Sequence, residues 1–253
     1  MKSYDELKAE PLSADQMLNK KYFPFIQGDA VDLCVPNLRA IEEDGWADWL
    51  NNIEELQATQ HGVFPNHRSA QEDFLNSLAN DRSKIVLMIC EKKSNLAIGV
   101  ISLQNISFQF KSAEVALSAS KSNSKFRNPF SALEAMALIT QHGFDEVGLN
   151  RIYAGQAYPT LTSWNKMLEL IGFRSEGILR EAFVRGHRVE NIVSISCLYE
   201  NFLALKKLRG SLWGSSKTIR EALKAQPKKS FAEIIDGKIS EMERKHFSFL
   251  FKK

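Results

Sequence analysis

The run Arg127-Asn-Pro-Phe-Ser-Ala132 has the composition of a helix start. Asn128 is a favourable capping residue, and Pro129 suits the first helical position, where a missing N–H costs nothing. The free N–H groups of Phe130, Ser131 and Ala132 would then point out of the helix end. With the helix dipole they would form an anion site suited to a phosphate, and Arg127 would add a charged donor. Taken alone, the same run also fits a helix start that binds only water. A second concentration of positive charge, Arg180, Arg185, His187 and Arg188, falls at one end of two late strands. It could meet a diphosphate or be a solvated turn. Cys34, Cys90 and Cys197 lie far apart with no CxxC pair. That points away from zinc and disulfides and towards a reducing compartment, the cytoplasm.

These groups need elements to hold them. Alternation over Gly28–Val35 predicts a half-buried strand. Trp46, Trp49, Leu50 and Ile53 share one face of a helix, and Ser69-Ala-Gln-Glu72 reads as a capping box. Ile85–Cys90 and Ala97–Leu103 predict two strands joined by a turn at 92–95. Alternating Ile106, Phe108 and Phe110, then Val115, Leu117 and Ala119, extend them into a meander. A helix follows from Pro129 to about His142, then a strand at 151–155. A helix carrying Trp164, Met167, Leu168 and Ile171 comes next, ended by Gly172. Strands at 178–185 and 190–199 complete the pattern, a mixed α/β fold around one sheet.

The chain has 253 residues, with 33 Lys and Arg against 30 Asp and Glu, a net charge of +3. That sum conceals a division. Residues 204–253 hold 13 basic against 5 acidic residues, about +8; the remainder is about −5. The expected organisation is an N-terminal extension at 1–24, a body at 25–204 and a basic helical extension at 205–253. In the extension, Ser230-Phe-Ala-Glu233 reads as a capping box, and a shorter helix precedes Pro227. No run approaches the roughly 20 apolar residues of a membrane span. The first residues lack the pattern of a signal peptide. No zinc finger, aromatic-basic or helix-turn-helix pattern marks a nucleic-acid reader.

One order of motifs is more specific than any of these. Strand, Glu114, strand, Arg127-x-x-x-x-Ala132-Leu-Glu-Ala, helix, Leu149-Asn-Arg-Ile152, helix ending Leu168-Glu-Leu-Ile-Gly-Phe173, then Glu176-Gly-Ile-Leu-Arg180 resembles the GNAT acetyltransferase superfamily. In detail it resembles the branch of ribosomal-protein N-terminal and amino-sugar nucleotide N-acetyltransferases. The resemblance covers about 25–200 and implies acetyl-CoA as cosubstrate. It also implies a central, mostly antiparallel splayed sheet flanked by helices. The pantetheine arm would lie in the splay, and the pyrophosphate on the loop before the long helix. Cofactor contacts then fall to Val115, Leu117, Ala119, Arg127, Asn128, Phe130, Ser131, Ala132 and Ser163. Phe130 stands where the family has glycine; it keeps its N–H, and the cradle survives if its φ is negative. Leu161 and Trp164 replace the family's Asn and Ser. Leu168 replaces its acidic tyrosine, so no general acid carries over.

Acetyl transfer to an amine requires that the ammonium proton be accepted, directly or through water. Alternation places Glu114, Ala116 and Ser118 opposite Val115, Leu117 and Ala119, and some family members carry a catalytic glutamate at this position. Glu114 is therefore the first candidate base; a solvent-facing strand glutamate is the plainer alternative. The resemblance puts the acceptor wall at 57–65, so Gln60 and His61 are candidate acceptor contacts and His61 an alternative base. Arg180 and His187 are candidate contacts to an acceptor diphosphate. The expected acceptor is a small-molecule amine, an amino sugar carried on a nucleotide. A protein N-terminus, and a degenerate CoA-binding or scaffold module, are the alternatives. Homodimerisation is compatible with the sequence.

Overall fold

The computed structural model describes residues 21–54, 56–59, 61–94, 96–119 and 130–250. An eight-stranded sheet carries β1 (Pro24–Gln27), β2 (Val31–Cys34), β3 (Ile85–Glu91), β4 (Leu96–Ser107), β5 (Ser112–Ala119), β6 (Arg151–Tyr158), β7 (Arg174–Arg185) and β8 (Arg188–Leu198). Their order across the sheet is β1-β2-β3-β4-β5-β6-β8-β7. Every neighbouring pair is antiparallel except β5 and β6, which are parallel. This is the mixed α/β architecture that the residue pattern and the family resemblance predict.

The unbroken aliphatic run of β3 follows from burial on both faces. Leu87 and Ile89 join the main core, where α4 (Ser131–Asp145) lies across the sheet. Met88 and Cys90 join a second cluster on the other face, with Trp46, Ile41 and Ala40. That cluster is capped by α1 (Leu38–Glu42), α2 (Trp46–Trp49) and α3 (Arg68–Leu78). Gly99 on β4 is required by close approach: a Cβ there would lie 2.6 Å from the Ser118 carbonyl oxygen.

Past α5 (Thr162–Glu169) the chain turns through Gly172, at φ +92°, into β7. After β8 come α6 (Tyr199–Arg209), α7 (Ser216–Ala225) and α8 (Phe231–His246). Residue 205 lies within α6, and Leu212, Trp213, Ile219 and Ala232 belong to the main core. The box that begins α8 is formed: Ser230 N–H donates to Glu233 Oε2 at 2.7 Å, and Glu233 N–H to Ser230 Oγ at 3.2 Å.

Three local expectations come out differently. The Trp46 helix stops at Trp49, and Ile53 is exposed. Asn51 is the reason: its amide exchanges hydrogen bonds with the backbone of Asn66 (2.9 and 2.7 Å), drawing the chain away from helix. Ser69 lies inside α3, whose capping position is His67, with no side-chain cap bond. Phe108 and Phe110 sit in the β4–β5 turn, exposed, because the register shifts between Gln104 and Ser107 and Asn105 and Lys111 take positive φ. Among the described residues no helix is long and apolar enough to cross a membrane.

Candidate active site

β5 and β6 stay together for three residue pairs only: Ser112 with Arg151, Ala113 with Ile152, and Glu114 with Tyr153. Beyond Glu114 each strand follows its other neighbour. β5 remains paired with β4 to Ala119, and β6 with β8 to Tyr158. The sheet therefore opens into a wedge whose vertex is Glu114. No described strand pairs with Val115–Ala119 on the β6 side. Backbone polar groups on that edge are open to a ligand.

Register also fixes the faces. Ser118 lies opposite Val100, and Val100 opposite Met88, so Glu114, Ala116 and Ser118 share the face of the α1–α3 cluster. Ala113 and Val115 are buried on the α4 face, with Leu117 packed beside them. Glu114 is half-buried, and Asn105 Nδ2 donates to its Oε2 at 3.1 Å. Across the vertex the same face continues as a polar group. Arg151 donates to Glu176 at 2.7 Å and lies over the Tyr153 ring, and Ser196 donates to Glu176 at 2.8 Å. The Arg151 guanidinium, helped by Ser196, holds the Glu176 carboxyl below its ordinary range.

The long helix begins at Ser131, with Phe130 as its capping residue, later than the Pro129 start that the sequence suggests. Phe130 has φ −99° and ψ 0°, an ordinary right-handed conformation that needs no glycine. Its ring turns inward, packed edge-on against Trp213 (6.5 Å) beneath the Arg220 guanidinium (5.7 Å). Ser131 is 2 % exposed and its Oγ has no hydrogen-bond partner among the described residues. Glu134, in the first turn, is fully buried and accepts the N–H groups of Asp29 and Ala30. Burial pushes its carboxyl up to about 7, although those N–H groups pull the other way. The outer N–H groups of this helix start suit the phosphate of a cofactor. Arg127 and Asn128 lie outside the described residues, as does Gln60.

His61 is exposed in a loop tied to the β7–β8 hairpin. Arg185 donates to the carbonyl oxygens of Thr59 and His61, both at 2.7 Å. The positive group of the late strands is thereby divided. Arg185 is engaged with that loop, and Arg188 pairs with Glu190 at 2.8 Å. His187 is exposed at the hairpin turn, and Arg180 stands in the β7 bulge, 3.8 Å from Glu243. Leu168, at the position of the family's acidic tyrosine, is fully buried. Tyr158, Thr160 and Thr162 already donate to Asp236, Glu190 and Pro159. Ser163 is exposed in the first turn of α5. Arg151 and Glu176 stand within family motifs, but spacing assigns no site role to them or to Asn105, Ser196, Trp213 and Arg220. Asn105 lies nine residues from its partner Glu114, and the partners of the others are more distant in sequence.

Residues 37–174, more than half of the chain, match the model of an acetyltransferase (GNAT) domain. No curated protein matches the chain. Solved structures share its fold. The spermidine N-acetyltransferase of Vibrio cholerae, in complex with CoA and spermine, is 19 % identical with TM-score 0.59, over 70 % of this chain and 99 % of that one. The microcin self immunity acetyltransferase MccE, in complex with acetyl-CoA and AMP, is 20 % identical with TM-score 0.56, over 68 % and 93 %. A GCN5-related N-acetyltransferase from Brucella melitensis is 23 % identical with TM-score 0.58, over 86 % and 95 %. That 86 % exceeds the 204 residues before the basic extension, so the shared fold reaches into it. With the domain match across the wedge and both helices beside it, the chain belongs to the GNAT family of acetyl-CoA-dependent acyltransferases.

Proposed function

We propose that this protein transfers the acetyl group of acetyl-CoA to the primary amine of a small acceptor, an amino sugar carried on a nucleotide. The observation that carries the transfer is the divergence of β5 from β6 immediately after Glu114. It sets a carboxylate at the root of a gap whose one wall is the unpaired strand edge. Acetyl-CoA supplies an activated acyl thioester. Val115, Leu117 and Ala119 line that edge, and its backbone donors polarise the carbonyl. Phe130, Ser131 and Ala132 offer backbone N–H groups to the phosphates, preceded in the chain by Asn128 and Arg127.

Glu114, oriented by Asn105, takes the proton that the amine loses as its nitrogen bonds to the carbonyl carbon and the carbon–sulfur bond breaks. The departing thiolate is protonated by water, since the hydroxyls of Tyr158, Thr160 and Thr162 are engaged elsewhere. Gln60 and His61 are the candidate acceptor contacts, and His61 belongs to the loop held by Arg185. Arg180 and His187 are exposed on the β7–β8 hairpin and are the candidate contacts to a diphosphate. A second reading has a specific support: the body is about −5 in charge and carries Glu114 and Glu176 on the acceptor face, which suits a polyamine.

Thiol release from acetyl-CoA with panels of amino-sugar nucleotides, polyamines and N-terminal peptides tests the acceptor. Turnover confined to polyamines or peptides would exclude the amino sugar. Glu114→Gln should lower kcat about 100-fold near neutral pH and less at high pH, where the amine is already neutral. Full activity of that variant at every pH would remove the base.

A further inference from the structure

The basic extension has a place in the fold but no role in the transfer as described. α7 is capped by Ser215, whose Oγ accepts the Thr218 N–H at 3.1 Å. Its inner face carries Ile219, fully buried in the main core, and Ala222. Lys217, Arg220 and Lys224 recur at i, i+3 and i+7, so they share another face, and all three are exposed. None of them has a carboxylate within ion-pair distance among the described residues.

One end of this basic face is anchored on the start of α4. The Arg220 guanidinium lies 5.7 Å above the Phe130 ring, and Trp213 supports that ring from the side. The other end reaches α5, where Gln226 donates to the Lys166 carbonyl (2.7 Å) and to Glu169 (3.0 Å). α7 therefore bridges the first turn of α4 and the helix beside it. At that first turn the Ser131 hydroxyl is 2 % exposed and has no hydrogen-bond partner among the described residues.

With the acetyl-CoA site placed as proposed above, we infer that α7 completes its phosphate end and that Arg220 is a CoA-phosphate-binding residue. A helix start offers directional N–H donors but only about half a positive charge. The cofactor brings several negative charges to a body of net charge about −5. The compensating charge comes from the extension: Arg220 at the helix start, with Lys217 and Lys224 along the same face. Phe130 then has a purpose at the position where the family has glycine. Its ring is a platform that holds the planar guanidinium and leaves the N–H fork free for phosphate oxygens.

The test is calorimetric titration of the full chain with CoA and with 3′-dephospho-CoA, at two salt concentrations. Arg220→Ala should weaken CoA binding about tenfold and flatten its salt dependence. Arg220→Glu should weaken it further, and Arg220→Lys should restore part of the loss. If the defect disappears with dephospho-CoA, the contact is to the 3′-phosphate; if it persists, to the pyrophosphate. Unchanged melting of each variant excludes loss of fold, as expected for an exposed side chain. Equal CoA affinity in wild type and Arg220→Ala overturns the role of Arg220 while leaving the transferase reading intact. Tighter binding or faster turnover in Arg220→Ala also overturns it and makes α7 a shield over the site. A wild-type chain that binds no CoA overturns both readings.

Discussion

Replacing Glu134 by glutamine should change how the stability of this protein depends on pH. The carboxyl is fully buried at the first turn of α4 and accepts the backbone N–H groups of Asp29 and Ala30, which fastens the β1–β2 turn to the helix. Burial raises it to about 7, against 4.5 in an unfolded chain. Between those values the unfolded chain has lost the proton and the native state keeps it. Stability therefore falls as pH rises through that window. Below about 4.5 the native state bears no penalty; once pH passes 7 the penalty is complete, about 3 kcal/mol. Glutamine keeps one oxygen for the two N–H groups and cannot ionise. Urea unfolding of both proteins at pH 5, 6, 7 and 8 isolates the effect, because all other titrations are common to the pair. The stability of the wild type relative to Glu134→Gln should fall by about 2.5 kcal/mol from pH 5 to pH 8. A constant difference would refute the reasoning. A difference that grows with pH would mean that the N–H donors outweigh burial and hold the carboxylate ionised.

Two further outcomes follow from single contacts. Arg185→Ala removes both hydrogen bonds that tie the loop at Thr59 and His61 to the β7–β8 hairpin. Steady-state kinetics should show KM for the acceptor rising about tenfold with KM for acetyl-CoA little changed; a rise in the second alone would place the loop elsewhere. Gly99→Ala forces a methyl to 2.6 Å from the Ser118 carbonyl oxygen, in backbone that cannot yield cheaply. Urea unfolding should show about 1–3 kcal/mol less stability, and a protein as stable as wild type would show that β4 and β5 can separate there.

Much of the architecture is legible in local pattern. Continuous apolar runs mark β3 and β4, alternation marks β5, helical spacing marks α5, and Ser230 with Glu233 marks the start of α8, because each signal acts within a few residues. Family resemblance supplies the splay and the cofactor, and the domain match bears out the family. What local pattern misreads are the places where a distant partner intervenes. Asn51 trades its helix for bonds to Asn66, and the β4–β5 turn shifts register through Asn105 and Lys111.

The wedge itself belongs to tertiary structure. β5 and β6 meet only because α4 carries the chain across the sheet, and their parting after Glu114 depends on β4 and β8, which hold them from the two sides. The joining of Asp29 to Trp213 across most of the chain, and of Phe130 to Arg220, is likewise invisible to spacing. The sequence by itself determined which segments become most of the strands and helices, how α8 is capped, and that the positive charge is gathered in the last 50 residues. Only the tertiary structure decided where that charge lies, because a side chain's partner across the fold is chosen by packing and register and not by its neighbours along the chain.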